Sequence, residues 1–557
     1  MFLIRAVLLD GGRSQVLPDG SRRRSRLPRY AVSAGVLAAL LATGTPAVAG
    51  STSAPDDVVV TGTPAPDQAA ETARPTTQAE ARPRLAPLAR PLGQVADGAL
   101  PDPGTVAREI ADELDSDWLG PADRRAIIVR DALTGEVLAQ RNASRLVTPA
   151  STTKILSAAA IVSSLPGEQR FATRVVAGES ADEVVLVAGG DMLLARGEGD
   201  PGAVAGHAGV ADLAARTAEA LEGRALEGPV RVRLDLQHVV GPHKLDSWSD
   251  FWISEGYAGR IVQLGLAEDL ALPFYPSPTQ PEQEVARAFA AALDERGVEV
   301  AGWPGEDAAG SWTAELVETP AGRVGLTPPG SVPEGLSAPA AGADGRAVTA
   351  GPDGATSTGS PDDVEVLAEV WSAALRDVLA HALATSDNAM VEQLSRQAAS
   401  VAGEGSDRES VTAWIRSTVQ EAYGVDMEGQ QLADSSGLSD GTRLTVQAVA
   451  DVLVAGADGS HPDLQGVLAA GGLPIAGYTG TLSTRFHLPV HAAAIGNARA
   501  KTGSLPGVTS LAGTVVTADG RLLVFAMTAD DIGADGAVLE ARSSLDEVVA
   551  QLARCGC

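Results

Sequence analysis

The chain has 557 residues, of which 45% are hydrophobic, so it is long enough to divide into more than one domain and apolar enough to build packed cores. Its 71 acidic side chains outnumber the 42 basic ones, which gives a formal net charge of −29 at pH 7. This charge predicts a strongly solvated surface and argues against a nucleic-acid partner, because binding to phosphate requires a basic face.

The first 49 residues have the organisation of an export signal. A cluster of arginines at 22–29 precedes an apolar stretch at 31–41, and a small-x-small cleavage pattern ends at Ala49. We therefore predict that 1–49 is a signal peptide and that the protein is exported, to the extracellular space or the cell wall. Without cleavage, the same apolar segment could act as a short membrane anchor.

Residues 50–104 are predicted to be a disordered linker, because they are rich in Pro, Ala and Thr and lack helical or strand periodicity. Ordered structure is predicted from about residue 105, where a short helix begins with Thr105 as its N-cap. Two strands at 126–131 and 136–141 are then expected to form a hairpin.

Further elements are predicted from periodicity and from turn residues such as Asp519-Gly520. In chain order they are helix 154–165, strand 184–187, helix 211–222, strand 230–235, helix 283–295, helix 364–384 with a continuation to about 401, strands 508–517 and 521–528, and helix 536–553. Residues 335–362 are predicted to form a flexible insertion. The first and last ordered regions could share one sheet, with a large segment inserted between them.

Lysine is rare in this chain, which contains only Lys154, Lys244 and Lys501 among its 42 basic residues. An Arg stays protonated at any working pH, whereas a Lys can become a neutral amine when it is buried. Ser151 precedes Lys154 by three residues, so on a helix both side chains lie on one face. Lys154 could then activate Ser151 as a nucleophile if burial or a second cation lowers the pKa of the amine. The alternative is a chance match in an ordinary amphipathic helix.

The phrase Ser386-Asp387-Asn388 interrupts the predicted helix at 364–401. The Ser386 hydroxyl could relay a proton to a leaving group, and the Asn388 amide could bind both Lys154 and a substrate carbonyl. The alternative is a helix N-cap, since Ser, Asp and Asn are the favoured residues at that position.

The phrase Lys501-Thr502-Gly503 precedes strand-like sequence, so Lys501 and Thr502 could present their side chains to a carboxylate from an edge strand. Lys501 is also the candidate cation that lowers the pKa of the first lysine while staying charged itself. Gly503 would leave room for a ligand backbone beside the strand. The backbone N–H groups of Ser504 and Ser151 could form an oxyanion hole. The alternative is a plain turn before a hairpin.

The three phrases occur in the order Ser-x-x-Lys, Ser-x-Asn, Lys-Thr-Gly, which is the signature of penicillin-recognising acyl enzymes. The chain resembles the D-alanyl-D-alanine carboxypeptidase/endopeptidase family of serine peptidases, the class C low-molecular-mass penicillin-binding proteins. The phrase Asp434-Ser435-Ser436-Gly437-Leu438-Ser439 is similar to another phrase of that family, with Ser435 where the family usually has Gly.

The resemblance implies an α+β fold. Its first component is a DD-peptidase/β-lactamase-like domain, in which helices flank an antiparallel sheet, and its second is a large inserted domain. The long stretch between Ser151 and Ser386 indicates where the insertion lies. The predicted boundaries are therefore 105–175 and 366–557 for the two parts of the transpeptidase-like domain, and 176–365 for the insertion.

The same resemblance implies that Ser151 attacks the carbonyl between the two terminal D-Ala residues of a peptidoglycan stem peptide, with Lys154 as the base. The other implied site residues are catalytic Ser386, Asn388 and Lys501, and substrate-binding Thr502, Gly503 and Ser504. β-Lactams, which mimic the terminal dipeptide, are the implied covalent inhibitors. No cofactor is implied, and the seven His form no cluster that predicts a metal site.

Two other functions stay open at this point. The first is a β-lactamase-type hydrolase, although none of the five Tyr begins a Tyr-x-Asn phrase and no Asn ends a Glu-x-x-Leu-Asn phrase. Class C and class A β-lactamases, respectively, use those phrases. The second is a non-catalytic module that binds the cell wall, against which the intact Ser151 and Lys154 argue. The sequence does not separate carboxypeptidase from endopeptidase activity.

Overall fold

The computed structural model describes most of the chain after the predicted linker. The described stretches are 98–323, 364–468, 471–533 and 537–556. The predicted signal peptide 1–49, the predicted linker up to residue 97 and the predicted insertion 335–362 lie outside them.

The strands of the described residues form two five-stranded sheets. They are β1 (Arg125–Asp131), β2 (Val137–Arg141), β3 (Ala172–Ala177), β4 (Glu183–Val187), β5 (Arg231–Asp235), β6 (Glu315–Val317), β7 (Val366–Trp371), β8 (Ala498–Leu505), β9 (Val508–Val516) and β10 (Leu522–Ala529).

The α-helices of the described residues surround these sheets. They are α1 (Pro103–Glu109), α2 (Ala111–Leu114), α3 (Lys154–Ser164), α4 (Val210–Leu221), α5 (Asp250–Ser254), α6 (Pro281–Asp294), α7 (Pro320–Arg323), α8 (Leu375–Thr385), α9 (Asn388–Val401), α10 (Arg408–Tyr423), α11 (Val446–Ala455), α12 (Pro462–Val467) and α13 (Val538–Arg554).

The first sheet is antiparallel and joins strands from the beginning and the end of the described part of the chain. Its strand order is β2-β1-β10-β9-β8, so β1 from the start of the domain pairs with β10 from its end. The predicted hairpin at 508–517 and 521–528 corresponds to β9 and β10, whose turn contains Gly520 at φ +82°. A positive φ costs Gly little, which is why Asp-Gly marks such turns. The order leaves β8 at an edge of the sheet.

The two faces of this sheet pack against different helices, because side chains alternate along a strand. Ile127 and Val129 of β1 belong to a core that includes Val548 and Leu552 of α13. Ile128 points to the opposite face and joins a larger core that contains helices α3, α8, α9, α10 and α11. The sheet is therefore a middle layer between α13 and a helical region.

The second sheet belongs to the inserted segment. Its strand order is β6-β5-β4-β3-β7, with β4, β5 and β6 parallel and with β3 antiparallel to both of its neighbours. Leu213 of α4 and Phe289 of α6 are part of the core under this sheet. The sheet begins at Ala172 and ends at Trp371, so its limits lie a few residues outside the predicted range 176–365.

Two predicted elements differ from the structure. The helix predicted at 364–384 is strand β7 up to Trp371, and helix α8 starts only at Leu375. Ala368 and Val370 are buried and alternate with less buried neighbours, as in a strand. Hydrogen bonding to β3 stabilises this segment as a strand in place of a helix. The first helix is capped by Asp102 instead of Thr105, because the Asp102 carboxylate accepts a hydrogen bond of 2.8 Å from the Thr105 N–H.

Candidate active site

Ser151 lies in a tight turn that leads directly into helix α3. The turn is the 3₁₀ segment Ala150–Thr153, and Ala150 has a positive φ of +50°, which is strained for a residue with a side chain. Lys154 is the first residue of α3, and its Nζ lies 3.1 Å from Ser151 Oγ. Ser151 is half-buried and Lys154 is completely buried. The predicted contact between these two side chains is therefore present.

The amine of Lys154 has a complete set of hydrogen-bond acceptors. Besides its contact with Ser151, it donates to Asn388 Oδ1 over 2.6 Å and to the backbone carbonyl of Ser436 over 2.8 Å. A protonated Lys has three N–H donors, so these three acceptors fix the position of Nζ beside the Ser151 hydroxyl.

Burial makes Lys154 a better base than an ordinary lysine. It lowers the pKa of the amine from 10.5 to about 8, against the opposing negative charges of Asp434, Glu392 and Asp387. Roughly a tenth of Lys154 is then neutral at pH 7, far more than for an ordinary lysine, and only this neutral form can accept a proton.

The phrase Ser386-Asp387-Asn388 joins helices α8 and α9. One of its residues is a helix N-cap, and the other two contact the lysines of the site. Asp387 is the N-cap of α9, with its carboxylate accepting a 2.9 Å hydrogen bond from the Met390 N–H. Ser386 adopts a left-handed conformation with φ +60°, which ends α8. Asn388 reaches Lys154 through Oδ1 and donates through Nδ2 to the carbonyl of Tyr257, which belongs to the inserted segment.

Lys501 lies on the edge strand β8 and faces the same site. Its buried Nζ donates to Ser386 Oγ over 2.7 Å and to the carbonyl of Thr502 over 2.8 Å. The Thr502 hydroxyl donates to the hydroxyl of Thr481 over 2.9 Å. The three predicted phrases thus meet in one place: Ser151 with Lys154, Asn388 with Lys154, and Ser386 with Lys501.

Lys154 and Lys501 are both buried, and their charges repel each other, so protonation of either one lowers the pKa of the other. Lys501 was expected to stay charged and to lower the pKa of Lys154. Burial is instead the main cause at both residues, and the charge of Lys154 further lowers the pKa of Lys501 well below its usual range. Lys154 holds its proton more readily than Lys501, because three acidic residues favour its charge, whereas the Nζ of Lys501 contacts only a hydroxyl and a carbonyl among the described residues.

Gly503 packs closely against the turn that carries Ser151. A Cβ atom at this position would clash with Ser510 Oγ and would lie 2.8 Å from the Pro149 carbonyl oxygen and 3.0 Å from the Ser151 nitrogen. The missing side chain therefore makes room for the turn that carries Ser151, and the room it would leave for a ligand backbone stays a prediction. This close approach brings β8 next to the nucleophile.

The 434–439 loop supplies a part of the site that the sequence did not predict. Its Ser436 carbonyl accepts from Lys154, and Glu392 Oε1 holds the loop by accepting from the N–H groups of Ser435 and Ser436 over 3.0 and 2.9 Å. Glu392 follows Asn388 by four residues on α9, so both side chains lie on one helix face. That spacing is the signal that could have identified Glu392.

The described residues contain no group of three or more His, Cys, Asp or Glu side chains placed to hold a metal ion. The groups that meet at Ser151 are hydroxyls, amines, an amide and backbone carbonyls. Among the helices of the described stretches, none is long and apolar enough to cross a membrane.

Comparison with known proteins identifies the fold. A crystal structure of penicillin-binding protein 4 from Haemophilus influenzae has a TM-score of 0.53 to this chain at 18% sequence identity, and the match covers 80% of this chain and 98% of that one. This likeness confirms the predicted α+β fold of the DD-peptidase type.

Two curated relatives are similar in sequence along most of their length. Carboxypeptidase DacB of Mycolicibacterium smegmatis is 30% identical over 433 residues, which cover 77% of this chain and 80% of the relative. A D-alanyl-D-alanine carboxypeptidase of an Actinomadura species is 30% identical over 472 residues, which cover 75% of this chain and 80% of the relative.

The family comparison agrees with both relatives. The model of the D-Ala-D-Ala carboxypeptidase 3 (S13) family matches residues 107–336 and 347–552, which include all three phrases of the site. Because this match spans most of the chain, the protein belongs to the D-Ala-D-Ala carboxypeptidase 3 (S13) family of serine peptidases.

Proposed function

We propose that this protein is an exported serine-type D-Ala-D-Ala carboxypeptidase/endopeptidase that acts on peptidoglycan stem peptides through an acyl-enzyme on Ser151. The observation that carries the proposal is the contact of Lys154 Nζ with Ser151 Oγ, inside a buried network that includes Asn388. Family membership and the two curated carboxypeptidases support the substrate class. The predicted signal peptide 1–49 supports export to the extracellular space or cell wall.

Acylation begins when neutral Lys154 takes the proton of the Ser151 hydroxyl. The Ser151 oxygen then bonds to the carbonyl carbon between the two terminal D-Ala residues, and the carbonyl oxygen becomes an oxyanion. The N–H groups of Ser151 and Ser504 bind this oxyanion, since Gly503 brings β8 against the nucleophile turn. The C–N bond breaks, and the leaving amine receives its proton from Lys154 through Ser386.

Deacylation reverses these steps with water in place of the leaving group. Lys154 accepts a proton from the water, whose oxygen bonds to the acyl carbon. The ester bond to Ser151 breaks, and the serine oxygen recovers its proton. The product is a stem peptide shortened by one D-Ala.

Lys501 and Thr502 bind the terminal carboxylate of the substrate. A carboxylate near Lys501 raises the pKa of its amine, which offsets the effect of burial, so binding of the substrate favours the charged lysine. β-Lactams carry a carboxylate in a similar place and acylate Ser151 as covalent inhibitors.

Digestion of purified muropeptides with analysis of the products by mass tests this proposal. Wild-type protein is expected to remove a single Ala from pentapeptide stems, and cleaved cross-links would add endopeptidase activity. The variant Ser151→Ala is expected to release no product. Unchanged muropeptides with the wild type, or equal digestion by both proteins, would refute the proposal.

A further inference from the structure

Two residues of the inserted segment contact the 434–439 loop beside the active site. The indole N–H of Trp248 donates to Asp434 Oδ2 over 2.9 Å, and the hydroxyls of Ser247 and Ser439 share a hydrogen bond of 2.7 Å. Trp248 is 2% exposed and belongs to the large core that also contains helix α3. Because close packing holds this ring in one place, the direction of its N–H is fixed.

Asp434 closes the loop by accepting hydrogen bonds from the backbone of the loop itself. Its Oδ1 accepts from the Gly437 N–H over 2.6 Å, and its Oδ2 accepts from the Ser439 N–H over 2.7 Å. The indole of Trp248 is the third donor and comes from outside the loop. A buried carboxylate needs such donors, because its charge has lost the hydrogen bonds of water. Trp248 therefore helps to determine where the loop lies.

The loop in turn supplies one of the three acceptors of the catalytic amine. The Ser436 carbonyl accepts from Lys154 Nζ over 2.8 Å. Ser436 lies between Asp434 and Gly437, so the hydrogen bond that joins these two residues fixes the turn that directs the carbonyl. A continuous row of contacts thus leads from Trp248 through Asp434 and the Ser436 carbonyl to Lys154.

A second acceptor of Lys154 also depends on the inserted segment. Asn388 Oδ1 accepts from Lys154 Nζ over 2.6 Å, and Asn388 Nδ2 donates to the Tyr257 carbonyl over 3.0 Å. The third acceptor is the Ser151 hydroxyl, which is the group that reacts. Small displacements of the amine matter here, because a shift of about 1 Å between reacting groups can cost about 10²-fold in rate.

We propose that Trp248 is a positioning residue for acylation, and that it holds Lys154 beside Ser151 through Asp434 and the Ser436 carbonyl. This inference rests on the proposed function, because it takes Lys154 as the base that removes the proton of Ser151. It assigns to the inserted segment a part in the chemical step itself.

The same contacts determine how strongly the charge on Lys154 is supported. The charged groups that face its amine are Asp434, Glu392, Asp387 and Lys501. Loss of the indole N–H loosens the loop, so the Ser436 carbonyl and the Asp434 carboxylate stabilise the charged amine less. The pKa of Lys154 should then fall below its value of about 8, and the pH dependence of acylation should move with it.

The test measures the second-order rate of acylation by benzylpenicillin from about pH 5.5 to about 9.5, by intact protein mass. Trp248→Phe removes the indole N–H and keeps an aromatic ring. Ser247→Ala removes the smaller contact with the loop, and it tests the same support if Trp248→Phe does not fold. Trp414→Phe is the matched control, because Trp414 lies in the same core, on α10, and its indole donates no hydrogen bond within the described stretches.

Trp248→Phe is expected to lower the limiting rate at high pH about 10-fold, because the amine is no longer held at Ser151, and to move the midpoint of the profile to lower pH. Ser247→Ala should change both quantities in the same directions by less. Trp414→Phe should lower the melting temperature, as Trp248→Phe does, and keep the wild-type limiting rate and midpoint.

A purely structural role of Trp248 would lower the melting temperature without moving the midpoint. Wild-type rate and midpoint in Trp248→Phe, or in Ser247→Ala where the first variant does not fold, would therefore overturn the proposal. A lower rate with an unchanged midpoint, or the same changes in Trp414→Phe, would overturn it as well.

The outcomes separate this inference from the proposed function. A wild-type protein that benzylpenicillin does not acylate would refute the acyl-enzyme on Ser151, and the positioning role would fall with it. A wild type that is acylated with a midpoint near pH 8, together with an unchanged profile in Trp248→Phe, would refute the positioning role alone.

Discussion

The rate of acylation of Ser151 should depend on pH through the ionisation of Lys154. Burial lowers the pKa of this amine to about 8, and only the neutral form can accept the serine proton. About one molecule in ten is then active at pH 7 and about one in a hundred at pH 6. An ordinary lysine with a pKa of 10.5 would leave about one molecule in three thousand active at pH 7.

The acylation rate should increase with pH, because the protonated, charged form of Lys154 cannot accept a proton. Protonation removes the base, so the rate of acylation must rise with pH up to about 8 and then level off. The rate of reaction with the methyl ester of benzylpenicillin, followed from pH 5.5 to about 9.5, measures this without contributions from carboxylate binding by Lys501. A rate that is constant between pH 6 and 8, or that still rises about tenfold per unit above pH 9, would refute the assignment.

Substitutions at two positions test the remaining parts of the site. Lys154→Arg should lower the acylation rate at least about 10³-fold, because Arg stays protonated and cannot act as a base. Lys244→Arg is the control, since Lys244 lies in a partly exposed ion pair, and this variant should be acylated at the wild-type rate. Full acylation of Lys154→Arg would contradict the role of Lys154 as base. Glu392→Ala leaves two buried backbone N–H groups unpaired, so the free energy of unfolding measured in urea should fall by about 3 kcal/mol. Glu392→Gln keeps the hydrogen-bond acceptor and should lose much less stability. Equal stability of the two variants would argue against the assigned contacts.

The contact between Ser151 and Lys154 was predictable because it is local. A spacing of three residues on a helix determines which side chains meet, and the structure has this geometry. The hairpin around Gly520 was equally accessible, since Gly adopts the positive φ of a hairpin turn at little cost. Such features depend on residues that are close together in the chain, and both are present in the described structure.

Features that depend on residues far apart in the chain were not predictable in the same way. The first part of the helix predicted at 364–384 is a strand, because β3, almost two hundred residues earlier, supplies its pairing partner. Gly503 faces the turn of Ser151, and this packing is visible only once β8 lies beside that turn. The pKa of Lys154 likewise depends on burial and on Glu392 and other acidic residues that the fold brings near.

The central claim is that Ser151 becomes acylated. Incubation with benzylpenicillin, followed by intact mass and by mass analysis of proteolytic peptides, tests it most directly. We predict one adduct of the mass of benzylpenicillin per molecule, located on Ser151, and no adduct in Ser151→Ala. An adduct on another residue, or an equal adduct in Ser151→Ala, would contradict the account.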